Sequence, residues 1–234
     1  MVNPTIYHPD YHRTASFEPS ATATEILAEQ GMYAASLAEA REHGGPVTNR
    51  MLDAIPEEYM RSAADAGLEL NIDVRVHRLH KNTYPASPGW HCDAPIRETA
   101  FDDHADKTEV TRSLIGTVST SPTGVSRTEF ATTPVTVNTH HPEFSSEFFK
   151  HVNRQLHTHP PGTIQVPDGQ WTEFGSRSWH RVSPAVCDGA RLFMRISLWV
   201  PPPGHRGGLV KTEQTYEQVP AHLASAHDCN PVVS

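Results

Sequence analysis

The stretch from Pro88 to Pro95 holds a histidine and an aspartate two positions apart, His91 and Asp93. If the backbone is extended there, both side chains leave the same face of the strand, while Cys92 leaves the opposite face. An imidazole and a carboxylate side by side can occupy two positions on a divalent metal, and a second histidine would complete a three-ligand face with open positions. The sequence therefore predicts that His91 and Asp93 bind a metal ion. Cys92 is predicted to be a buried structural thiol.

A His-x-Asp triplet alone is a weak signal, because the chain has sixteen histidines and three such triplets. The triplet at His8 lies in an irregular N-terminal arm, and the one at His104 lies in an acidic stretch typical of an exposed connection. Only the triplet at His91 follows a strongly patterned strand and has apolar neighbours such as Trp90. We therefore expect His91 and Asp93 to be the metal pair; a surface pair is the alternative.

The second histidine of such a site has six candidates: His140, His141, His151, His157, His159 and His180. Only His180 is followed by a strand that carries two arginines, Arg191 and Arg195, eleven and fifteen residues further on. We expect His180 to be the third ligand for this reason.

The strand that carries the two arginines has two different faces. The apolar face consists of Leu192, Met194, Ile196 and Leu198, which we expect to be packed. The other face consists of Arg191, Phe193, Arg195, Ser197 and Trp199. Two guanidiniums among aromatic side chains favour a barrel mouth that receives an anion, because arginine can bind a carboxylate through two parallel hydrogen bonds. A solvated strand surface is the alternative.

The elements that must position these residues are mostly strands. A clean alternation of apolar and polar residues predicts a strand over 70–77. Further strands are predicted over 113–120, 127–131, 135–138, 164–166, 171–174, 179–182 and 191–200, and a helix near 144–156. Many short strands at close spacing predict a mainly β fold, an antiparallel jelly roll.

Two helices are predicted before the first strand. The apolar spacing indicates one from about Thr24 to Gly44, and a second begins at Pro56 and ends near Gly67. We expect these N-terminal helices to pack on the sheet of a single domain. Its parts are an irregular arm and helices over 1–67, a jelly-roll core over 68–200 and a tail over 201–234.

The composition limits the partners. Acidic residues outnumber basic ones 27 to 19, a net charge of −8, which argues against a nucleic-acid binder. Three scattered cysteines indicate neither a disulfide framework nor a cysteine-based zinc site, and no stretch approaches the roughly 18 apolar residues of a membrane span. We expect a cytoplasmic protein with a small-molecule substrate and no membrane partner; a homo-oligomer stays open.

The residues His91-x-Asp93, His180 and Gly189-Ala190-Arg191 resemble the signature of the Fe(II)- and 2-oxoglutarate-dependent dioxygenases. Their spacing is similar to that in phytanoyl-CoA hydroxylase-like and taurine dioxygenase-like members, and the resemblance covers roughly residues 68–200. It implies a double-stranded β-helix, a cupin-like form of jelly roll. It also implies that His91, Asp93 and His180 hold Fe(II).

The same resemblance implies a hydroxylase. Two open positions on the iron would take 2-oxoglutarate, and a third would take O₂. Arg191 would hold the far carboxylate of 2-oxoglutarate. Arg195 or Ser197 would provide second contacts or the docking point of an anionic substrate. The expected reaction hydroxylates an unactivated C–H bond of an amino acid, carboxylate or natural-product intermediate and releases succinate and CO₂. An aspartate at position 93 argues against a halogenase.

Other residues are candidates for contacts with the substrate: Trp90, Arg97, Thr117, Arg127 and Trp179. Two other classes of protein remain open. A cupin-like isomerase, hydrolase or 2-oxoglutarate-independent dioxygenase would use the same three ligands without Arg191. A jelly-roll binding module would have no chemistry and no tight iron binding.

Overall fold

The computed structural model describes residues 4–86, 88–93, 112–121, 123–141, 145–201 and 203–210. Within them the strands are β1 (Thr5–Tyr7), β2 (Tyr11–Ser16), β3 (Gly31–Ala35), β4 (Glu69–Leu79), β5 (Arg112–Ser119), β6 (Thr128–Ala131), β7 (Val135–Val137), β8 (Thr163–Gln165), β9 (Gln170–Gly175), β10 (His180–Val182), β11 (Gly189–Trp199) and β12 (Gly208–Val210). The helices are α1 (Ala23–Leu27), α2 (Leu37–His43), α3 (Pro46–Asp53), α4 (Glu57–Ala66) and α5 (Ser146–Thr158).

The larger sheet has seven strands in the order β12-β3-β4-β11-β5-β9-β2, and its neighbours are antiparallel. Strand β11 lies at its centre and pairs over its whole length with β4, from Gly189 opposite Leu79 to Trp199 opposite Glu69. A smaller antiparallel sheet has the order β10-β6-β8, and β1 pairs with β7. The predicted strands around the candidate ligands are therefore present.

The apolar face of β11 packs against the N-terminal helices. Leu192, Met194 and Ile196 are fully buried there and share one core cluster with side chains of α1, α2, α3 and α4. Burying each such side chain contributes about 1.5–3 kcal/mol. Both the packed face of β11 and the packing of the helices on the sheet are confirmed.

The opposite face of the large sheet looks towards the smaller sheet. Phe174 of β9 and Ile115 of β5 share a buried cluster with Phe130 of β6, and the rings of Phe130 and Phe174 lie 5.2 Å apart. Two antiparallel sheets thus enclose an interior whose inward residues alternate with outward ones. This is the mainly β, jelly-roll architecture that the sequence predicts.

A second apolar cluster joins α5 to the segment that carries the candidate ligands. Phe148 and Val152 of α5 pack with Trp90, Cys92 and Trp179. Cys92 is 3% exposed. Its burial among carbon side chains confirms it as a structural thiol on the side away from His91 and Asp93.

The single helix predicted from Thr24 to Gly44 is wrong, because α1 and α2 are separated by strand β3. Each helix begins with a capping box, in which the side chains and backbone N–H groups of residues three apart bond reciprocally. The two boxes are Thr22 with Glu25 and Ser36 with Glu39. These two start signals, three residues before each glutamate, were visible in the sequence.

Strand β3 forms because the large sheet offers it a partner. Met32 pairs with Val74 and Ala35 with Ile72, with an irregularity between them. At this irregularity Ala34 has a positive φ of 51° and donates its N–H to Asp73 Oδ1 at 2.9 Å. Tertiary pairing therefore overrides the helical spacing of the apolar residues.

The large sheet extends beyond the predicted core of 68–200. β2 and β3 come from the first 67 residues, and β12 comes from the predicted tail. The second predicted helix is confirmed as α4, with Pro56 as its N-cap and Gly67, at φ 67°, as its C-cap. Among the described residues, no helix has the length and apolar content that crossing a bilayer requires. The acidic stretch around His104, which is predicted to be an exposed connection, lies outside the described residues.

Candidate metal centre

Three side chains converge at the mouth between the two sheets: His91, Asp93 and His180. One ligand atom from each lies within 4.8 Å of the other two. The His180 Nε2 atom is 3.8 Å from Asp93 Oδ1, and the two imidazole centroids are 4.4 Å apart. In the described part of the chain, no other group of three or more histidine, cysteine or carboxylate side chains has a spacing that could hold a metal ion. The structure brings together the three ligands that the sequence predicts.

A backbone bridge holds the two histidines in register. The N–H of His91 donates to the carbonyl of His180 at 2.9 Å, and the N–H of His180 donates to the carbonyl of His91 at 2.8 Å. Residues directly opposite each other in an antiparallel pair project their side chains to the same face. The two imidazoles are therefore neighbours although 88 residues separate them in the sequence.

Each imidazole is oriented by a carbonyl two residues before it. His91 Nδ1 lies 3.1 Å from the Gly89 oxygen, and His180 Nδ1 lies 2.9 Å from the Ser178 oxygen. Because a carbonyl only accepts, each Nδ1 carries the hydrogen and each Nε2 keeps a lone pair for a ligand. Such outer contacts fix the tautomer of metal-binding histidines in general.

The charge states suit a divalent cation. Burial by itself raises the pKa of the Asp93 carboxyl, but the Arg195 guanidinium and the two imidazoles outweigh it and hold that pKa below its usual range. Burial, reinforced by His91, lowers the pKa of His180 to about 4. At neutral pH the cluster thus offers a carboxylate and a neutral imidazole. Two imidazole nitrogens and one carboxylate are the donor set of non-haem Fe(II) sites, so these residues fit that metal.

Arg191 lies in the same cavity as the three ligands and is 3% exposed. In the described part of the chain no carboxylate lies within 4.0 Å of its guanidinium, and its Nε has no hydrogen-bond partner. Its Cζ atom stacks 5.0 Å from the Phe193 ring centroid. Burial lowers the pKa of Arg191 to about 10, against the opposing effect of Asp168. A buried guanidinium that no carboxylate of the described residues contacts is a favourable site for an anion.

The cavity that joins Arg191 to the ligands has a volume of about 230 Å³. Besides these residues and Phe193, its wall includes Asp73, Arg75, His77, Arg181 and Arg195. We call it the Arg191 cavity. Its position in the interior between the sheets confirms that the charged face of β11 is not a solvated strand surface.

Arg195 is bound differently from Arg191. Its Nη2 donates to Asp73 Oδ2 at 2.6 Å, and its Nη1 lies 3.4 Å from Asp93 Oδ2. Burial by itself lowers the pKa of Arg195, but these two carboxylates raise it above its ordinary value. The structure thus gives Arg195 a positioning role at Asp93, and its contact with a cosubstrate stays a prediction.

Of the other predicted contacts, Ser197 shares a hydrogen bond with Ser113 at 2.9 Å. Thr117 is buried and donates to Asp168 at 2.6 Å, and Arg127 contacts Gln165 at 3.4 Å near the surface. Neither residue is among the described residues that line the Arg191 cavity. Arg97 lies outside the described residues.

The two predicted tryptophans pack rather than line the Arg191 cavity, as far as its described wall shows. Trp179 is 2% exposed and packs edge-on against Tyr7, at 5.6 Å between ring centroids. Trp90 is 4% exposed, and Arg181 stacks on its ring at 4.8 Å. Both rings therefore support the backbone next to a ligand, at positions 91 and 180.

The polar face of β4 was missed as part of the site. Asp73 and His77 are 5% and 3% exposed, although they alternate with apolar residues as on a strand with one wet face. In the register of the sheet they lie directly opposite Arg195 and Arg191. The signal in the sequence was that polar and charged residues alternate with apolar ones on both β4 and β11. These residues form a cluster only because the two strands pair in this register.

In the rejected triplet at His8, the aspartate makes an ion pair with an arginine. This aspartate, Asp10, lies 3.2 Å from the Nη1 atom of Arg112, which also binds Glu173. The triplet at His104 lies outside the described residues.

No protein-family model and no curated protein matches the sequence. The chain is similar to the solved structure of the non-heme alpha-ketoglutarate-dependent epimerase SnoN from nogalamycin biosynthesis, with 15% identity, a TM-score of 0.44 and coverage of 89% of this chain and 82% of that one. It is also similar to the non-heme monooxygenase ThoJ in complex with nickel, with 11% identity, a TM-score of 0.41 and coverage of 87% and 77%.

A third similar structure is an N-substituted L-amino acid dioxygenase from Burkholderia ambifaria, with 17% identity, a TM-score of 0.36 and coverage of 82% of this chain and 77% of that one. These TM-scores all lie below 0.5, and the residue assignments therefore stand on the geometry of the chain itself. The site is identified by its own donor set: two imidazoles and a carboxylate at metal-binding spacing, in one cavity with a buried arginine.

Proposed function

We propose that this chain is an Fe(II)- and 2-oxoglutarate-dependent oxygenase that hydroxylates a small molecule and releases succinate and CO₂. One observation carries the proposal: the three-donor cluster shares a cavity with Arg191, a buried cation that has no carboxylate partner among the described residues. The similar solved structures include an N-substituted L-amino acid dioxygenase and an alpha-ketoglutarate-dependent epimerase.

In this proposal His91, Asp93 and His180 hold the iron through two Nε2 atoms and a carboxylate oxygen. Three such donors would leave the iron open to 2-oxoglutarate and oxygen. Bound Fe(II) with 2-oxoglutarate supplies oxygen activation coupled to loss of CO₂. Arg195 keeps Asp93 ionised and directed at this centre.

Arg191 would bind the far carboxylate of 2-oxoglutarate. A guanidinium can form two parallel charge-assisted hydrogen bonds with a carboxylate, each stronger than a neutral one. Because Arg191 is already buried, its desolvation is completed on folding and is not repeated on binding. Phe193, stacked on the guanidinium, restricts its rotation and covers one of its faces.

The proposal is tested by adding Fe(II) and then 2-oxoglutarate to the metal-free protein without oxygen. We expect a visible metal-to-ligand charge-transfer band, which arises when a keto acid binds iron through two oxygens. A cupin-like enzyme that does not use 2-oxoglutarate would bind Fe(II) and show no such band. A binding module would show neither tight iron binding nor the band, and either result would overturn the proposal.

A further inference from the structure

A second cavity lies beyond Arg195, towards the end of β11. Its volume is about 310 Å³, within the range of about 300–1,000 Å³ that is usual for small-molecule pockets. We call it the serine cavity and define it by six of its wall residues: Tyr33, Asn71, Ser113, Ser176, Ser197 and Trp199. Asp93 and Arg195 line both this cavity and the Arg191 cavity, so the two meet at one of the proposed iron ligands.

Besides Asp93 Oδ2, which lies 3.4 Å from Arg195 Nη1, two polar atoms in the wall of the serine cavity are buried without a hydrogen bond to any described residue. They are the Oγ of Ser176, a residue only 3% exposed, and the Oδ1 of Asn71. A buried polar atom left unsatisfied costs about 1–3 kcal/mol, and a bound ligand that hydrogen-bonds to it recovers that cost. The other two serines differ, because Ser113 and Ser197 satisfy each other at 2.9 Å.

The charges in the described wall of the serine cavity are already compensated. Its permanently charged residues are Asp93 and Arg195, which lie 3.4 Å apart, and Arg195 also binds Asp73. An anionic ligand would have to compete with two carboxylates for this guanidinium. The cavity therefore favours an uncharged ligand, in contrast to the Arg191 cavity.

We propose that the serine cavity binds the primary substrate, and that this substrate is an uncharged small molecule with hydroxyl or amide groups. Ser176 can donate to or accept from such a group, Asn71 Oδ1 accepts, and the rings of Trp199 and Tyr33 supply apolar contact. The role as substrate rests on the proposed function, whereas the binding itself does not. This proposal differs from the sequence-based expectation of an anionic substrate at Arg195 or Ser197, because Arg195 is paired with Asp73 and Asp93.

The test uses matched pairs of probes on the metal-free, full-length chain. One pair is methyl glucoside and methyl glucuronide; the other is N-acetylprolinamide and N-acetylproline, so that each pair differs by a carboxylate. Saturation-transfer NMR with titration gives a dissociation constant for each probe. We expect an uncharged probe to bind at least tenfold more tightly than its carboxylate partner.

Two variants locate the binding. Ser176→Val and Asn71→Leu each remove one unsatisfied atom, and each is expected to weaken the bound uncharged probe at least fivefold. Asn71 lies on a strand and Ser176 in a turn, so a folding defect in one leaves the other usable, and circular dichroism checks both. Ser20→Val, at an exposed position, is the matched control and should change nothing.

The inference is overturned if no uncharged probe binds, if the carboxylate partners bind as tightly, or if both folded variants bind like the wild type. Because no iron is present, these results are independent of the charge-transfer experiment. Probe binding that maps to Ser176 and Asn71 without a charge-transfer band would refute the proposed function alone. A band together with a preference for carboxylate probes would refute only the uncharged substrate.

Discussion

Asp73 lies directly opposite Arg195 across the β4–β11 pair and accepts a 2.6 Å hydrogen bond from it. The same guanidinium reaches Asp93, so a cross-strand pair of the large sheet is tied to a proposed iron ligand. Arg191, four positions earlier on the same face, has no such carboxylate among the described residues. Two arginines that look equivalent in the sequence therefore differ in their pairing: Arg195 contacts two carboxylates, and Arg191 contacts none of the described ones.

The Asp73–Arg195 pair should contribute to folding. Arg195→Gln leaves the 5%-exposed Asp73 without its cation. We expect the free energy of unfolding to fall by about 3 kcal/mol, the low end for breaking a buried pair, because about a third of the Arg195 side chain is exposed. Urea denaturation of the metal-free protein measures this loss. Adding Asp73→Asn to Arg195→Gln should restore part of it, and strict additivity of the two losses would contradict the pairing.

Removing the Arg191 guanidinium should weaken 2-oxoglutarate binding. A hydrogen bond to a charged group contributes about 1.5–3 kcal/mol, so Arg191→Gln should raise the dissociation constant roughly 10- to 150-fold. The charge-transfer band, titrated with 2-oxoglutarate, gives this constant. Arg127→Gln is the matched control, because Arg127 lies outside the described wall of the cavity. Equal affinity in wild type and Arg191→Gln would remove Arg191 from the cosubstrate site.

The choice among the His-x-Asp triplets can be tested by metal titration. His91→Ala or His180→Ala removes one of three ligands and should weaken anaerobic Fe(II) binding by more than about 100-fold, beyond the 10- to 100-fold typical of an outer contact. His8→Ala alters the rejected N-terminal triplet and should leave binding unchanged. Calorimetric titration distinguishes the three variants. Loss of Fe(II) binding in His8→Ala would show that the metal site lies in the N-terminal arm.

His77 should make stability depend on pH. Burial, with Arg191 and Arg75 adding to it, lowers the pKa of His77 to about 3 from an unfolded value near 6.5. Between these values the unfolded chain takes up a proton that the folded chain does not. The contribution of His77 is therefore fully present above about pH 6.5 and is lost as pH falls, by up to about 1.4 kcal/mol per unit.

A comparison with His77→Gln isolates this effect, since every other titrating group is common to both proteins. The free energy of unfolding is measured for each metal-free protein from pH 7 to pH 4.5. We expect the wild type to lose stability faster than the variant over this range. Parallel curves would show that His77 does not titrate differently in the folded and unfolded states.

Much of the architecture was predictable because it depends on local pattern. The alternation in β11 placed Leu192 and Met194 in the core and Arg191 and Arg195 on the other face, as the structure confirms. The helix from Thr24 to Gly44 could not be predicted correctly from apolar spacing, because β3 is stabilised by pairing with β4. Propensity is a weak prior where a sheet edge competes for the same residues.

By itself the sequence determined which residues can do chemistry: the spacing of His91 and Asp93, and the strand with two arginines that follows His180. Tertiary structure decided what each of them does. The bridge between His91 and His180 joins positions that 88 residues separate in the sequence, so it exists only in the folded chain. Only the register of β4 against β11 pairs Arg195 with Asp73, whereas no carboxylate of the described residues contacts Arg191. The chemistry available to a side chain follows from its residue type, which the sequence gives directly. The electrostatic state of a buried charge depends on neighbours that distant parts of the chain supply.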